Sequence, residues 1–306
     1  VEMGLSGLVL VGGARTQTDA AYLAEYLKQE EVDTAVVGVP VGMEGSMINE
    51  FVEASLGFDS AAKGMAHLVG NTAIDGSSAR KYYYFLKLMD GSTTGGRVPT
   101  SHVAVEAALQ TRPNMLLLTE EVDARRMTLR DVVREIADVV ALRAKDGKHF
   151  GTIIVAEGLL AAIPEFHCLI SEIESMPQST EDKVIDDMTV WSKALFQSLP
   201  DFIQRQLLLE RQSNSTIQLS QLETDRLMAC LVEEELKERK KKGTYSGSFS
   251  PVCQFLGYQA RCGMPSNFDS DYAYTLGGAA AVLAASRKSG YMAIASDLSR
   301  PVEEWQ

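Results

Sequence analysis

Gly7-Leu8-Val9-Leu10-Val11-Gly12-Gly13-Ala14-Arg15-Thr16-Gln17-Thr18-Asp19-Ala20 is the stretch that decides the fold. A short continuous apolar run ends on a glycine pair, and such a run without alternation reads as a strand buried in a parallel sheet. Beyond it Ala20, Leu23, Ala24 and Leu27 recur at helical spacing, with Thr18 placed to cap that helix. Thr34 to Val39 reads as a second buried strand stopped by Pro40, and Met115 to Leu118 and Gly151 to Val155 are two more such runs. Thr128-x-x-Asp131 opens a helix as a capping box, with Val133, Ile136 and Val140 on its inner face. Strands alternating with helices predict an α/β chain with a mostly parallel sheet.

The stretch from Pro164 to Lys242 is polar and strand-poor, which predicts helices. Met176 to Thr180 reads as a loop, and Leu219 to Glu223 leads into a helix carrying Leu227, Leu231 and Leu236. That helix is acidic early, basic at Arg239-Lys240-Lys241-Lys242 and followed by Gly243, an order that suits the helix dipole and a glycine stop. Tyr82-Tyr83-Tyr84-Phe85 fits a helix or a strand. Asp90 to Gly96 is a loop by composition, and a helical run starts near Ser101.

The 306 residues fit one large α/β unit or two ordinary domains. Twenty-nine Lys and Arg against 41 Asp and Glu give a net charge of -12, which argues against non-specific binding to nucleic acid or to an anionic membrane. No apolar run reaches the roughly 18 residues of a membrane span. Cys168, Cys230, Cys253 and Cys262 form no C-x-x-C pair, so free thiols in a reducing, cytoplasmic setting are the expectation. His67, His102, His149 and His167 hold no H-x-x-x-H pair, and Walker A, G-x-G-x-x-G and G-x-S-x-G patterns are absent.

The candidate chemistry gathers where strands end. A strand, a Gly12-Gly13 turn and a helix offer backbone N–H groups to phosphate, although a plain tight turn fits the pattern as well. The loop Gly38-Val39-Pro40-Val41-Gly42-Met43-Glu44-Gly45-Ser46 carries a carboxylate just past a strand, the edge where ligands bind in open α/β sheets. Glu157-Gly158-Leu159 ends another strand in the same way, and Gly257-Tyr258-Gln259-Ala260-Arg261 sets an arginine near a glycine turn.

Further runs fall in a familiar order. They are Gly57-Phe58-Asp59-Ser60-Ala61, Ala79 to Phe85, Ser101-His102 through Ala108-Leu109-Gln110-Thr111 with Pro113-Asn114, Gln218 to Gln221, Gly257 to Arg261, and Phe268-Asp269 with Asp271 to Tyr274. On these the chain resembles the phosphofructokinases, specifically the long pyrophosphate-dependent group and its α-type subunit or half. The resemblance implies two Rossmann-like three-layer domains with parallel sheets and a helical insertion at 164–245. Residues 1–55 with 262–306 would form the phosphoryl-donor domain, and residues 56–261 the sugar-phosphate domain. It also implies phosphoryl transfer from pyrophosphate to fructose 6-phosphate in glycolysis, with Mg²⁺.

The departures from the family carry the functional expectation. The family's donor loop reads Gly-Gly-Asp-Gly-Ser or Gly-Gly-Asp-Asp-Ser, and here it is Gly12-Gly13-Ala14-Arg15-Thr16, which lacks the carboxylate that helps to hold Mg²⁺. The family's Pro-Lys-Thr-Ile-Asp-Gly-Asp is here Pro40-Val41-Gly42-Met43-Glu44-Gly45-Ser46. Glu44 stands at the base position, one methylene longer than aspartate. Phosphoryl transfer rests on positioning and charge neutralisation, so these losses remove transition-state stabilisation. The sugar-phosphate half is better kept. The resemblance assigns Met89, Gly96, Arg97, Glu157, Tyr258 and Arg261 to it, with an insertion between Met89 and Gly96.

The leading expectation is a regulatory, non-catalytic half that pairs with a homologous catalytic chain or half in an oligomer and binds fructose 6-phosphate or another sugar phosphate. An active pyrophosphate- or ATP-dependent enzyme using Glu44, and a purely structural half, are the alternatives.

Overall fold

The structure is a computed structural model that describes residues 4–45, 47–90, 99–176, 181–209 and 217–306. In chain order its elements are β1 (Gly7–Gly12), α1 (Ala14–Gln29), β2 (Ala35–Pro40), α2 (Phe58–Ala79), β3 (Tyr83–Leu88), α3 (His102–Thr111), β4 (Met115–Leu117), α4 (Thr119–Ala124), α5 (Leu129–Lys145) and β5 (Gly151–Ala156). Then follow α6 (Leu159–Ala162), α7 (Pro164–Ser175), α8 (Glu181–Asp187), α9 (Val190–Ser198), α10 (Asp201–Leu209), a 3-10 turn Leu219–Gln221, α11 (Thr224–Lys241), β6 (Pro251–Leu256), α12 (Tyr258–Arg261), α13 (Asn267–Ala285), β7 (Tyr291–Met292) and a 3-10 turn Val302–Glu304. The chain divides into two compact units, Val1–Gly64 with Arg261–Gln306, and Met65–Ala260.

The first unit holds a parallel sheet in the order β1-β2-β7. β2 is buried along its whole length, as a run of Ala and Val without alternation requires of a strand covered on both faces. Val36 packs with Ala20 and Ala24 of α1. Val37 and Val39 point the other way, to Tyr272, Leu276 and Ala280 of α13. The helix after β1 starts earlier than Thr18: Gly13 is its extended N-cap and Ala14 its first residue. Thr18 lies one turn inside, its hydroxyl donating back to the Ala14 carbonyl at 3.0 Å. The glycine pair permits this immediate turn, since a Cβ on Gly12 would lie 2.4 Å from Thr16 Oγ1. Asp269 on α13 accepts from the Gly57 and Ser60 amides at 2.8 Å each, and from the Ser60 hydroxyl, fixing the start of α2.

The second unit holds a parallel sheet in the order β4-β5-β3-β6. The tyrosine-rich run is strand β3, not helix. Tyr83 and Phe85 enter the large core formed with α5, α7 and α11. Tyr84 faces α2, its hydroxyl 2.8 Å from Asp75 Oδ2. The Thr128–Asp131 capping box is present. The polar stretch after Pro164 folds as α7 to α11, and Gly243 follows α11 with φ of 74°. Pro177 to Thr180 and Gly91 to Val98 lie outside the described residues. The four cysteines are free. Among the described residues, no helix is long and apolar enough to cross a membrane.

Candidate functional site

In the first unit the strand ends are built from backbone and glycine. Val41 N–H continues the pairing beyond β2 by donating to Gly12 O at 3.0 Å. Gln17, buried on the first turns of α1, ties the two loops together: its Nε2 donates to Gly12 O at 2.9 Å and Val39 O at 2.8 Å. Gly38 leaves room for that amide, since a Cβ there would lie 2.0 Å from Gln17 Oε1. Glu44 turns back over its own loop, its Oε2 only 3.3 Å from where a Gly42 Cβ would stand. Gly45 takes a positive φ of 67°, which suits glycine. Arg15 is exposed on α1.

In the second unit the strand ends are built from buried ionisable groups. Glu157 follows β5, and its amide donates to Leu88 O at 3.1 Å. Its Oε2 accepts from the Asp90 amide at 3.0 Å. Asp90 is wholly buried and caps α3 from outside, accepting from Val103 N–H at 3.2 Å and Ala104 N–H at 2.8 Å. Glu120 accepts from the Ser101 amide at 2.8 Å, so both carboxylates satisfy first-turn donors of the same helix. Ser101 and Thr119 hydroxyls lie 2.7 Å apart. Met89, also buried, donates its amide to Leu256 O at 2.9 Å. Tyr258 opens α12 beyond β6, with its hydroxyl 3.1 Å from Ser220 Oγ, and Arg261 closes that helix.

Burial sets the protonation here. It pushes Asp90 up to about 8, against the two α3 amides, while Glu120 and Glu157 add like-charge repulsion. For Glu120, burial is outweighed by hydrogen bonds from Ser101 and Thr119, which hold it below the ordinary value. Lys87, on the same β3, is 2% exposed. Burial lowers its pKa, and attraction from Asp225, Glu157 and Glu223 opposes that shift. Burial raises Asp225, opposed by the Lys87 charge.

The structure thus brings Met89, Glu157 and Tyr258 to the C-terminal edge of one parallel sheet, the ligand-binding edge of such sheets. Gly96 and Arg97 lie outside the described residues. Gly12, Gly13 and Glu44 lie at the strand ends of the first unit. Sequence reasoning missed Lys87, Asp90 and Glu120. The available signal was a lysine inside an otherwise apolar strand, Tyr83-Tyr84-Phe85-Leu86-Lys87-Leu88.

The sequence model of the family described as Phosphofructokinase matches residues 1–284. The chain belongs to the phosphofructokinase family. Pyrophosphate–fructose 6-phosphate 1-phosphotransferase subunit alpha 1 of Arabidopsis thaliana is 45% identical over 308 residues, covering 100% of this chain and 49% of that protein. Subunit beta of the Solanum tuberosum enzyme is 42% identical over 311 residues, covering 99% of this chain and 53% of that protein. The chain therefore spans about half the length of the curated relatives it matches. A crystal structure titled pyrophosphate-dependent phosphofructokinase from Marinobacter aquaeolei shares the fold, with a TM-score of 0.61 at 14% identity over 100% of this chain and 58% of that one.

Phosphofructokinase chemistry raises the question of Mg²⁺. The described residues of this phosphofructokinase chain do not suit it: the β1–α1 turn offers a cation, Arg15, and no carboxylate. In the loop between β2 and α2 the described carboxylates are Glu44, Glu50 and Glu53, and Glu53 is taken up by the Asp297 and Leu298 amides at 3.0 Å each. Among the described residues no three His, Cys, Asp or Glu side chains gather as a metal site.

Proposed function

We propose that this chain is the sugar-phosphate-binding, regulatory-type half of a pyrophosphate-dependent phosphofructokinase, paired with a homologous catalytic chain or half. The observation that carries this reading is the contrast in charge between the two sets of strand ends. The donor turn holds Arg15 and no carboxylate, and Glu44 folds back over Gly42. In-line transfer of a phosphoryl group relies on metal ions and fixed positive groups around the moving phosphate. This turn supplies one cation, Arg15, and no ligand for a metal ion. The other edge keeps buried Glu157 beside Met89, with Tyr258 and Arg261 on the next turn. A carboxylate can accept sugar hydroxyls, and an arginine fork suits a phosphate.

Two observations support pairing. The relatives bear alpha and beta subunit names. From Tyr272 to Ser286 the sequence has no charge. There α13 exposes Tyr274, Gly277, Gly278 and Val282, and both glycines have open space where a Cβ would stand. A helix apolar on all sides is usually covered, and the occupant on this reading is the homologous chain or half.

Calorimetry with fructose 6-phosphate and fructose 1,6-bisphosphate, with and without Mg²⁺ and pyrophosphate, tests the reading. Sugar-phosphate binding indifferent to Mg²⁺ and pyrophosphate is expected. It should weaken about 10- to 100-fold in Glu157→Gln, the worth of a hydrogen bond to a charged group. Binding that tightens with Mg²⁺-pyrophosphate restores the catalytic reading, and no binding favours a structural half.

A further inference from the structure

Lys87 has no role in the reading above, yet it is among the most deeply buried large side chains of the second unit. An ammonium taken out of water must have its donors satisfied. Its Nζ donates to Ser220 O and to Leu222 O, both at 2.7 Å, and lies 4.0 Å from the centre of the Phe255 ring. A compact ammonium with three donors suits two carbonyls and a ring face in a closed space, whereas a guanidinium is wider and spreads its five donors in one plane. Phe255 is the register partner of Lys87 on β6.

The two carbonyls belong to the 3-10 turn Leu219–Gln221 and the residue after it, where the helical insertion returns to the sheet before α11. The end of a 3-10 turn leaves carbonyls without helical partners; Lys87 supplies a donor to Ser220 O and a second one to Leu222 O, which also accepts from the Thr224 amide at 2.8 Å. The same turn presents Ser220 Oγ to the Tyr258 hydroxyl at 3.1 Å. Phe255 in turn meets the Tyr258 ring edge-on, with centroids 6.5 Å apart. Lys87, Ser220, Tyr258 and Phe255 therefore close a ring of contacts. Lys87 sits two and three residues before Met89 and Asp90, at the strand ends.

We propose that Lys87 is a positioning residue: it fastens the 219–222 turn to β3, so that Ser220 orients the Tyr258 hydroxyl, and it thereby couples the helical insertion to the strand ends that face the ligand. The ligand-facing part rests on the sugar-phosphate reading. The coupling of Lys87 to Tyr258 does not. Lys87 touches no ligand in this scheme and acts through the turn.

The test compares Lys87→Met, Lys87→Arg and Ser220→Ala with the unaltered chain. Three readouts are taken well below the melting temperature: hydrogen exchange of the Gln221 and Leu222 amides, the resonance of Tyr258 labelled at the ring carbon bearing oxygen, and fructose 6-phosphate affinity. Lys87→Met should speed exchange at both amides about tenfold or more, as loss of local protection does, and shift the Tyr258 resonance. Ser220→Ala should shift that resonance without speeding exchange, and Lys87→Arg should restore exchange only in part. Each lost hydrogen bond should cost about 3- to 10-fold in affinity, and Tyr258→Phe should add nothing further in the Lys87→Met background. An unmoved Tyr258 resonance in Lys87→Met overturns the proposal, as do strictly additive losses with Tyr258→Phe. If Lys87→Met does not fold, Lys87→Arg decides through the same exchange and Tyr258 resonance, and unaltered values of both overturn the proposal. If the unaltered chain binds no fructose 6-phosphate, the sugar-phosphate reading fails while exchange and resonance still judge Lys87.

Discussion

Gln17 in the first unit and Lys87 in the second perform the same construction with different chemistry. Each is buried and reaches two backbone carbonyls that lie apart in sequence from it: Gly12 and Val39 for Gln17, Ser220 and Leu222 for Lys87. The amide joins two glycine-bearing loops and adds no net charge. Its Oε1 finds no hydrogen-bond partner among the described residues, a modest penalty. The amine brings an ionisable group into the interior, where burial lowers its pKa and attraction from Asp225, Glu157 and Glu223 opposes that shift. A neutral tie fixes geometry alone, whereas a charged tie fixes geometry and sets the field at the strand ends it supports. The first set of strand ends is accordingly poor in buried ionisable groups, and the second is rich in them.

The largest way to sharpen this contrast is to remove the charged tie. Lys87→Met leaves the Ser220 and Leu222 carbonyls without their buried ammonium donor and should cost about 3–5 kcal/mol of unfolding free energy, the worth of two hydrogen bonds from a charged donor, measured by denaturant titration. A loss no greater than that of the Gln17 variant below would erase the distinction.

Next comes pH. Burial pushes Asp90 up to about 8 from the ordinary 3.8. Between those values the native chain keeps a proton that the unfolded chain has released. The stabilisation is therefore complete below the lower value and is lost as pH rises through the upper one, at up to about 1.4 kcal/mol per pH unit. Asp90→Asn should flatten the stability profile over that window, and an unchanged slope would place the titration elsewhere.

A smaller effect is expected from the neutral tie. Gln17→Leu removes one donor serving two carbonyls and should cost about 1–3 kcal/mol, toward the low end because the unpartnered Oε1 goes with it. The smallest is Glu44→Gln. Fructose 6-phosphate affinity and any residual phosphoryl transfer should stay within about twofold, since a group outside the working machinery contributes little to either. A clear loss of transfer in that variant would make the first set of strand ends catalytic.

Much of the framework was legible in single stretches. Gly151 to Val155 is a strand buried along its length, as an uninterrupted β-branched and apolar run suits a strand covered on both faces. Gly7 to Gly12 is a parallel strand as expected but not a buried one: Val9 and Val11 are exposed among the described residues. The capping box at Thr128 is a local pattern and was readable as such. Thr18 misled because its type favours a cap, while the glycine pair before it already allowed the helix to begin at Ala14. Tyr82 to Phe85 stayed open between helix and strand, since four aromatic residues carry no period. The neighbours β5 and β6 decided it.

The sequence by itself determined the α/β class, several of the strands and helices, the family, and the replacement of the donor-turn carboxylate by Ala14-Arg15. These are local patterns and residue identities, and they survive without coordinates. Only the tertiary structure decided that Asp90 caps a helix starting twelve residues later, and that Lys87 reaches carbonyls more than 130 residues away. The protonation of both is set by burial and by charges on other elements, quantities that do not exist until the chain has folded.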